Sequence, residues 1–414
     1  MDSQRAAWVA ERMRQRGYTA LICRLPEHVV MLTGFQPILG NTFVILSLTD
    51  SGALECRVAL PKAEEDRFPR DGVAEVQTYE EETMRRISTT LPSVRQPLAE
   101  LLAAAGLASS LPSRGRARER STVVGYESDL PTVAVAYTQI GFPGPGTRDL
   151  LHELLPDVEL RDSTDDLNTL AARKTSAELI WIQKAEAAGR EGFLAARAAI
   201  HIGATEVEVA ATTTAALLRA GYAMPGASHV LAFAHVMAGA RAAYAHKAYN
   251  LTSSYVIQRG DTVLVQLEVS INGYWAELTR TFFAGELLPE WRKAHEACVA
   301  AQDAAVRVIR DGVPARAADA AARRIMTDAG LGDAFKHGLG HGFGFQAINH
   351  AAQPILHPAS SDMLRADMIH NLEPAVYLDG KGGVRLNDDV HVRVDSNEVL
   401  SAGIPRDLDW LVVT

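Results

Sequence analysis

The sequence lacks the features that define several protein classes. It has three cysteines in 414 residues, Cys23, Cys56 and Cys298, with no paired spacing. Neither a disulfide framework nor a zinc knuckle follows from that pattern. Cys23 and Cys56 lie in apolar runs suited to buried thiols. Positive charge is also in short supply, with a formal net charge of -9. A nucleic-acid surface needs a basic stripe, so no nucleic-acid partner is expected. The cluster Arg114, Arg116, Arg118 and Arg120 reads as a solvated loop. No apolar run reaches the roughly 18 residues that cross a bilayer. The opening MDSQRAAWVAERMRQRG has no apolar signal core. The expectations are a cytoplasmic protein and no membrane partner.

What is present is a globular composition, 47% hydrophobic and 22% charged. At roughly 150 residues per domain, the length suits two or three domains. A first helix is predicted over Ser3 to Arg16, stopping at Gly17. ALIC (Ala20 to Cys23), TFVILSL (Thr42 to Leu48) and ALECRVALP read as strands, the last two joined by a turn at Asp50-Ser51-Gly52. Helical stretches are expected near Tyr79 to Thr90 and Pro97 to Ala105, and a short strand at Val123 to Gly125. This alternation predicts an α/β domain over residues 1–165. Asp162 to Lys174 reads as a linker into a second domain, residues 166–414. Thr175 with Glu178, and Thr205 with Glu208, have capping-box spacing at two helix starts.

Polar residues of chemical interest gather in four later segments: AYAHKAYN with His246, Gly260 to Phe283, HGLGHGFGF with His341, and Met368 to Val392. In the second, alternation along VLVQLEV puts Gln266 and Glu268 on one strand face. Asn272-Gly273 makes a hairpin turn, and the return strand is expected to bring Glu277 opposite Gln266. Polar groups on a buried sheet are costly unless paired or functional. His341 stands among glycines that let backbone approach a ligand closely. Glu373 precedes Pro374, and Asn387 follows a Gly-Gly turn.

These segments, in this order, resemble the pita-bread family of creatinase, prolidase, aminopeptidase P and methionine aminopeptidase. His246, the pattern from Gly273 to Phe282, Gly340-His341-Gly342 and Glu373-Pro374 carry the resemblance. It implies an α/β (α+β) fold with a creatinase-like amino-terminal domain and a pita-bread catalytic domain, and a homodimer. Metal-dependent members hold two divalent ions with two aspartates, one histidine and two glutamates. The matching positions here are Gln266, Glu277, His341, Glu373 and Asn387.

Two of four carboxylates are thus neutral amides, leaving about two charges too few for two dications. The resemblance then points to the metal-free creatinase branch, with no cofactor. His246 would move protons, and Glu373, with Glu277 and His341, would orient a cationic group of a small substrate. Gln266, Glu268, Asn387, His350 and Arg385 would complete the substrate site, with His229 and His235 nearby. In creatinase an arginine of the amino-terminal domain grips the substrate carboxylate; Asn41 takes that place here, so creatine itself is not expected. The leading expectation is metal-independent hydrolysis of a carbon–nitrogen bond in a small amino-acid-like, guanidino or amidine substrate. The alternatives are a metal-dependent Xaa-Pro aminopeptidase or prolidase with one divalent ion on Glu277, His341 and Glu373, or lyase or isomerase chemistry on a small metabolite.

Overall fold

The structure, a computed structural model, describes the chain except residues 39–41, 50, 81, 84–85, 88–89, 108–121, 128–145, 248–251, 347–349 and 351. Backbone contacts divide it into two compact units, Met1–Ala171 and Ala172–Thr414.

In the first unit, helix α1 (Ser3–Arg16) starts where the Asp2 side chain accepts from the Arg5 amide, and stops at Gly17 with φ 70°. Strand β1 (Ala20–Cys23), helix α2 (Pro26–Thr33) and strands β2 (Phe43–Leu48), β3 (Leu54–Pro61) and β4 (Glu75–Tyr79) follow. Next come β5 (Glu82–Thr83), β6 (Arg86–Ile87), α3 (Thr90–Ala104), β7 (Val123–Tyr126), α4 (Thr147–Leu154), β8 (Glu159–Asp162) and α5 (Thr164–Ala172). Six strands form one sheet in the order β4-β3-β2-β1-β7-β8.

Two expectations are corrected here. The helix expected near Tyr79 to Thr90 is replaced by the end of β4 and the β5–β6 pair. β-Branched Thr83 and Ile87 suit strands, and no apolar stripe at helical spacing opposes them. The expected linker from Asp162 to Lys174 instead contains α5. Asp165 and Asp166 favour a helix start, and Leu167 and Leu170 are buried at helical spacing. Asp166 also accepts from the Tyr18 hydroxyl at 2.9 Å and from Arg16 Nε at 2.8 Å, fastening α5 to the end of α1.

The second unit opens with α6 (Ser176–Ala199) and α7 (Glu206–Tyr222), both started by the capping boxes that their sequences suggest. Then come β9 (Val230–Ala238), β10 (Thr262–Ile271), β11 (Tyr274–Ala284), α8 (Pro289–Val306) and α9 (Ala315–Asp328). Short strands β12 (Ile369–Leu372), β13 (Ala375–Leu378), β14 (Gly382–Arg385), β15 (Asp388–Val392) and β16 (Asn397–Val399) precede α10 (Leu408–Leu411) and β17 (Val412–Val413). The main sheet runs β17-β11-β10-β9.

Val263, Val265, Leu267 and Val269 of β10 share one core with Ala185, Ala188 and Phe193 of α6. Fully burying such a side chain contributes roughly 1.5–3 kcal/mol. The opposite face of β10 is buried too, although it carries Gln266 and Glu268. The hairpin turn has left-handed backbone at Asn272 (φ 54°) and Gly273 (φ 90°), which fits the two-residue turn matching strand twist. That turn fixes the register: Glu268 pairs with Glu277, and Gln266 with Thr279. The expected pairing of Glu277 with Gln266 is therefore off by two residues.

Candidate metal and active site

Three acidic or imidazole groups converge from separate elements of the second unit. Glu277 comes from β11. His341 sits between Gly340 and Gly342, and a Cβ on either glycine would collide with the carbonyl of Asn371 or Gln353. That close packing holds the loop, and the Asn371 side-chain oxygen accepts from the His341 amide at 2.8 Å. Glu373 follows the end of β12, its amide donating to the Leu339 carbonyl at 2.7 Å.

His341 Nδ1 donates to the Gly342 carbonyl at 3.0 Å, leaving Nε2 toward the carboxylates. Nε2 lies 3.4 Å from Glu373 Oε1 and 3.9 Å from Glu277 Oε1. Among the described residues, Glu277, His341 and Glu373 form the group able to hold a metal ion, with one ligand atom from each within 4.8 Å of the others.

Charge in this group is tightly balanced. Burial alone would lower the His341 imidazole, but Glu277 and Glu373 outweigh it and raise it to about 9. Burial alone would raise Glu373, but His341 and Arg385 hold it well below the usual carboxylate range. Arg385 Nη1 is 3.8 Å from Glu373 Oε2, and Nη2 donates to Gln266 Oε1. The donor set fits a divalent ion: two carboxylates and an imidazole with its remote nitrogen already bonded are ordinary ligands for borderline cations.

A cavity of about 220 Å³ adjoins the group, lined in part by His246, His337, His341, His350, Glu373 and Arg385. His246 Nδ1 donates to the Ala243 carbonyl at 2.9 Å. Burial lowers its pKa, so the ring is neutral near pH 7. The His350 ring stacks on His341 with centroids 4.7 Å apart.

Of the residues expected at the site, His246, His341, His350, Glu373 and Arg385 line the cavity. Glu277, Gln266 and Glu268 lie deeper, buried in the β10–β11 ladder. Asn387 is buried and bridges through its backbone to Thr279. His235 is buried on β9, with Nε2 3.9 Å from Glu268 Oε2, whereas the His229 amide belongs to the hairpin turn, donating to Asn272 Oδ1 at 3.1 Å. Asn41 and the arginine cluster at 114–120 lie outside the described residues. Sequence reasoning missed His337 and Tyr377, which share a 3.1 Å hydrogen bond. The available signal for His337 was its place in the HGLGHG segment. Tyr377 sits on a short strand with no motif to mark it.

The sequence pattern described as metallopeptidase family M24 matches residues 181–393. The chain belongs to this family. Xaa-Pro dipeptidase from Pyrococcus furiosus is 31% identical over 232 residues, covering 56% of this chain and 64% of the relative. Xaa-Pro dipeptidase from Lactobacillus delbrueckii subsp. lactis is 30% identical over 240 residues, covering 58% and 62%. The chain thus spans less than two thirds of the length of these relatives. Among solved structures, Xaa-Pro dipeptidase from Bacillus anthracis superposes with a TM-score of 0.76 at 21% identity, over 99% of each chain. X-Pro aminopeptidase from Thermotoga maritima gives 0.75 at 20% identity, over 97% of this chain and all of that one. These likenesses bear out the expected α/β pita-bread fold. Membership of M24 also agrees with the expected class, a hydrolase acting on carbon–nitrogen bonds. No helix among the described residues is long and apolar enough to cross a membrane.

Membership also corrects two expectations. A metal-independent creatinase-like activity is overturned by a metallopeptidase family whose matching relatives are named Xaa-Pro dipeptidases. The absence of any cofactor is overturned with it, given the compact Glu277–His341–Glu373 group. The physical error lay in the charge tally. The amides at positions 266 and 387 leave Glu277, His341 and Glu373 still converging within 4.8 Å of one another.

Proposed function

We propose that this chain is a metal-dependent peptidase that cleaves short substrates of the Xaa-Pro dipeptide kind, with a divalent cation held by Glu277, His341 and Glu373. The observation that carries this reading is the convergence of those three buried groups within 4.8 Å next to a cavity of about 220 Å³. The names of the relatives support the substrate class, and the cavity volume suits a dipeptide better than a long peptide.

When bound, such a cation polarises a carbonyl oxygen and makes water a stronger acid. The chain's own groups do the rest. The Nδ1–Gly342 hydrogen bond fixes the His341 ring with Nε2 toward the carboxylates. His246, neutral near pH 7, accepts a proton at Nε2 and returns it to the leaving nitrogen. Arg385 offers its guanidinium to the substrate carboxylate. Gln266 and the Tyr377 hydroxyl, 3.5 Å from Arg385 Nη1, hold that guanidinium in place.

The test is hydrolysis of Ala-Pro and Met-Pro by chelator-stripped protein, with and without added Co²⁺ or Mn²⁺. Cleavage that depends on the added cation is expected. Undiminished cleavage by stripped protein would overturn the reading, as would no cleavage with any cation across a dipeptide panel. The homodimer belongs to the same proposal, and light scattering showing a monomer at micromolar concentration would contradict it.

A further inference from the structure

His246 is presented by a connection whose two ends meet at one buried carboxylate. The chain leaves β9 at Ala238, makes a short 3₁₀ helix (Gly239–Tyr244), reaches His246, and returns past Ser253 toward β10. Glu206, the first residue of α7, stands at the base. Its Oε1 accepts from the Ala238 amide at 2.8 Å and from Arg241 Nε at 3.1 Å. Its Oε2 accepts from the Ser253 amide and the Ser253 hydroxyl, both at 2.8 Å. The departing strand, the 3₁₀ helix and the returning chain are all tied to a single side chain.

This carboxylate is not used by its own helix, because Thr205 and Glu208 supply the capping box of α7. Glu206 is 0% exposed, a setting in which charge-assisted hydrogen bonds are strong and an unanswered carboxylate is costly. The 3₁₀ helix is also seated on β13 and β14. Ala242 and Ala245 pack with Tyr377, and a Cβ on Gly383 would collide with the Ala242 carbonyl. The next carbonyl, that of Ala243, accepts from His246 Nδ1 at 2.9 Å. The His246 ring lies against Tyr377, with centroids 5.0 Å apart. With the proton held at Nδ1, Nε2 is the nitrogen free to accept one. A shift of the 3₁₀ helix would move the Ala243 carbonyl and release the ring to turn or to change tautomer.

We propose that Glu206 is a positioning residue for His246: through Arg241 and the two ends of the connection it fixes the Ala243 carbonyl, and thereby the tautomer and aim of the imidazole. The effect on turnover rests on the role of His246 in the proposed function; the effect on the tautomer does not.

The experiment compares wild type, Glu206→Gln, His246→Ala and the double variant, each as the full chain. The Gln side chain keeps the size of Glu206, but its nitrogen cannot accept from the donors that one carboxylate oxygen answers. With Ala-Pro as substrate and Co²⁺ added, Glu206→Gln should lower kcat by about tenfold or more, since a small misplacement of a catalytic group is costly. KM should change by less than about threefold. In the His246→Ala background the same substitution should cost less than about threefold in kcat, because the group it positions is gone. The second readout is nuclear magnetic resonance of stripped protein isotope-labelled at the histidine ring nitrogens, at about pH 8, where free imidazole is neutral. The His246 signal, assigned by its loss in His246→Ala, should report a proton at Nδ1 in wild type and a mixture of tautomers in Glu206→Gln. An unchanged His246 signal in Glu206→Gln would overturn the proposal, as would equal losses of kcat in the two backgrounds. Thermal melting checks that the variants fold. Should Glu206→Gln not fold, Arg241→Gln, which leaves the backbone bonds of Glu206 in place, should move the same signal in the same direction, and no movement overturns the proposal. Should no dipeptide be cleaved, the proposed function fails while the histidine signal still decides this inference.

Discussion

Two neighbourhoods within the second unit use the same polar layer in opposite ways. Around His341, two carboxylates face one imidazole, and the three ligand atoms lie within 4.8 Å. Around Gln266 and Asn387, the side chains are neutral amides. One is engaged by Arg385 and Glu268, and both amide atoms of the other are buried without a hydrogen-bond partner among the described residues. The difference teaches that a cation site is not read by counting carboxylates at matched positions. What matters is which face and which rung of the ladder each charge occupies. Glu268, one rung pair from Gln266 on the same face, keeps a carboxylate opposite Glu277.

The largest effect should come from His246, which lines the cavity but stands outside the ligand group. Loss of a general acid–base costs about 10²–10⁴-fold, so His246→Ala should lower dipeptide turnover by that order while leaving Co²⁺ binding unchanged. Near-wild-type turnover would remove its assigned role. The comparison itself is tested by Glu373→Gln against Asn387→Ala. Outer-shell partners of metal ligands are worth about 10–100-fold in metal affinity, and a direct ligand should exceed that. Glu373→Gln should therefore weaken Co²⁺ binding at the His341 position by at least about 100-fold. Asn387→Ala should change it by no more than about threefold, or roughly 0.7 kcal/mol. Equal losses in the two variants would erase the distinction between the neighbourhoods.

Much of this arrangement is legible in the amino-acid sequence. The capping boxes at Thr175 and Thr205 form as their spacing indicates, because hydroxyl and carboxylate answer local, unpaired amides. The Asn272-Gly273 turn is legible because its left-handed backbone selects those residues. The close approach at His341 is legible from its two glycines. The pairing of Glu277 is fixed by the same Asn272-Gly273 turn, since a two-residue loop pairs Ile271 with Tyr274 and hence Glu268 with Glu277; the expected partner Gln266 is two residues off, a shift that alternation alone does not expose. His235 cannot be assigned to Glu268 from sequence, since residues 239–261 separate β9 from β10 and no short turn sets their register. Tyr377 and His337 meet through the small β13–β14 sheet and a distant loop, a long-range contact that leaves no local pattern.

A further prediction separates the neighbourhoods by proton rather than by metal. In the metal-free protein, Glu277 and Glu373 raise His341 to about 9, against about 6.5 for an unfolded histidine. The folded state therefore holds this proton more tightly than the unfolded state. The stabilisation is fully present below a pH of about 6.5 and is lost as pH rises through about 9. Its upper size is roughly 3.5 kcal/mol, since each pH unit of difference corresponds to about 1.4 kcal/mol. Glu373 works in the other direction: its depressed pKa gives stability present above the usual carboxylate range and lost on acidification. Gln266 and Asn387 do not titrate, whereas Glu268 beside Gln266 does, its carboxyl pushed well up by burial and by the Glu277 charge. Urea unfolding of stripped wild type should show a loss of stability between about pH 6 and pH 9 that is absent in His341→Gln, the difference between the two proteins isolating this group from others that titrate. Saturating Co²⁺ should flatten the wild-type slope, because a cation on Nε2 takes the place of the proton. A wild-type slope identical to that of His341→Gln would mean that the imidazole is not held by the two carboxylates, and the contrast between the neighbourhoods would lose its electrostatic basis.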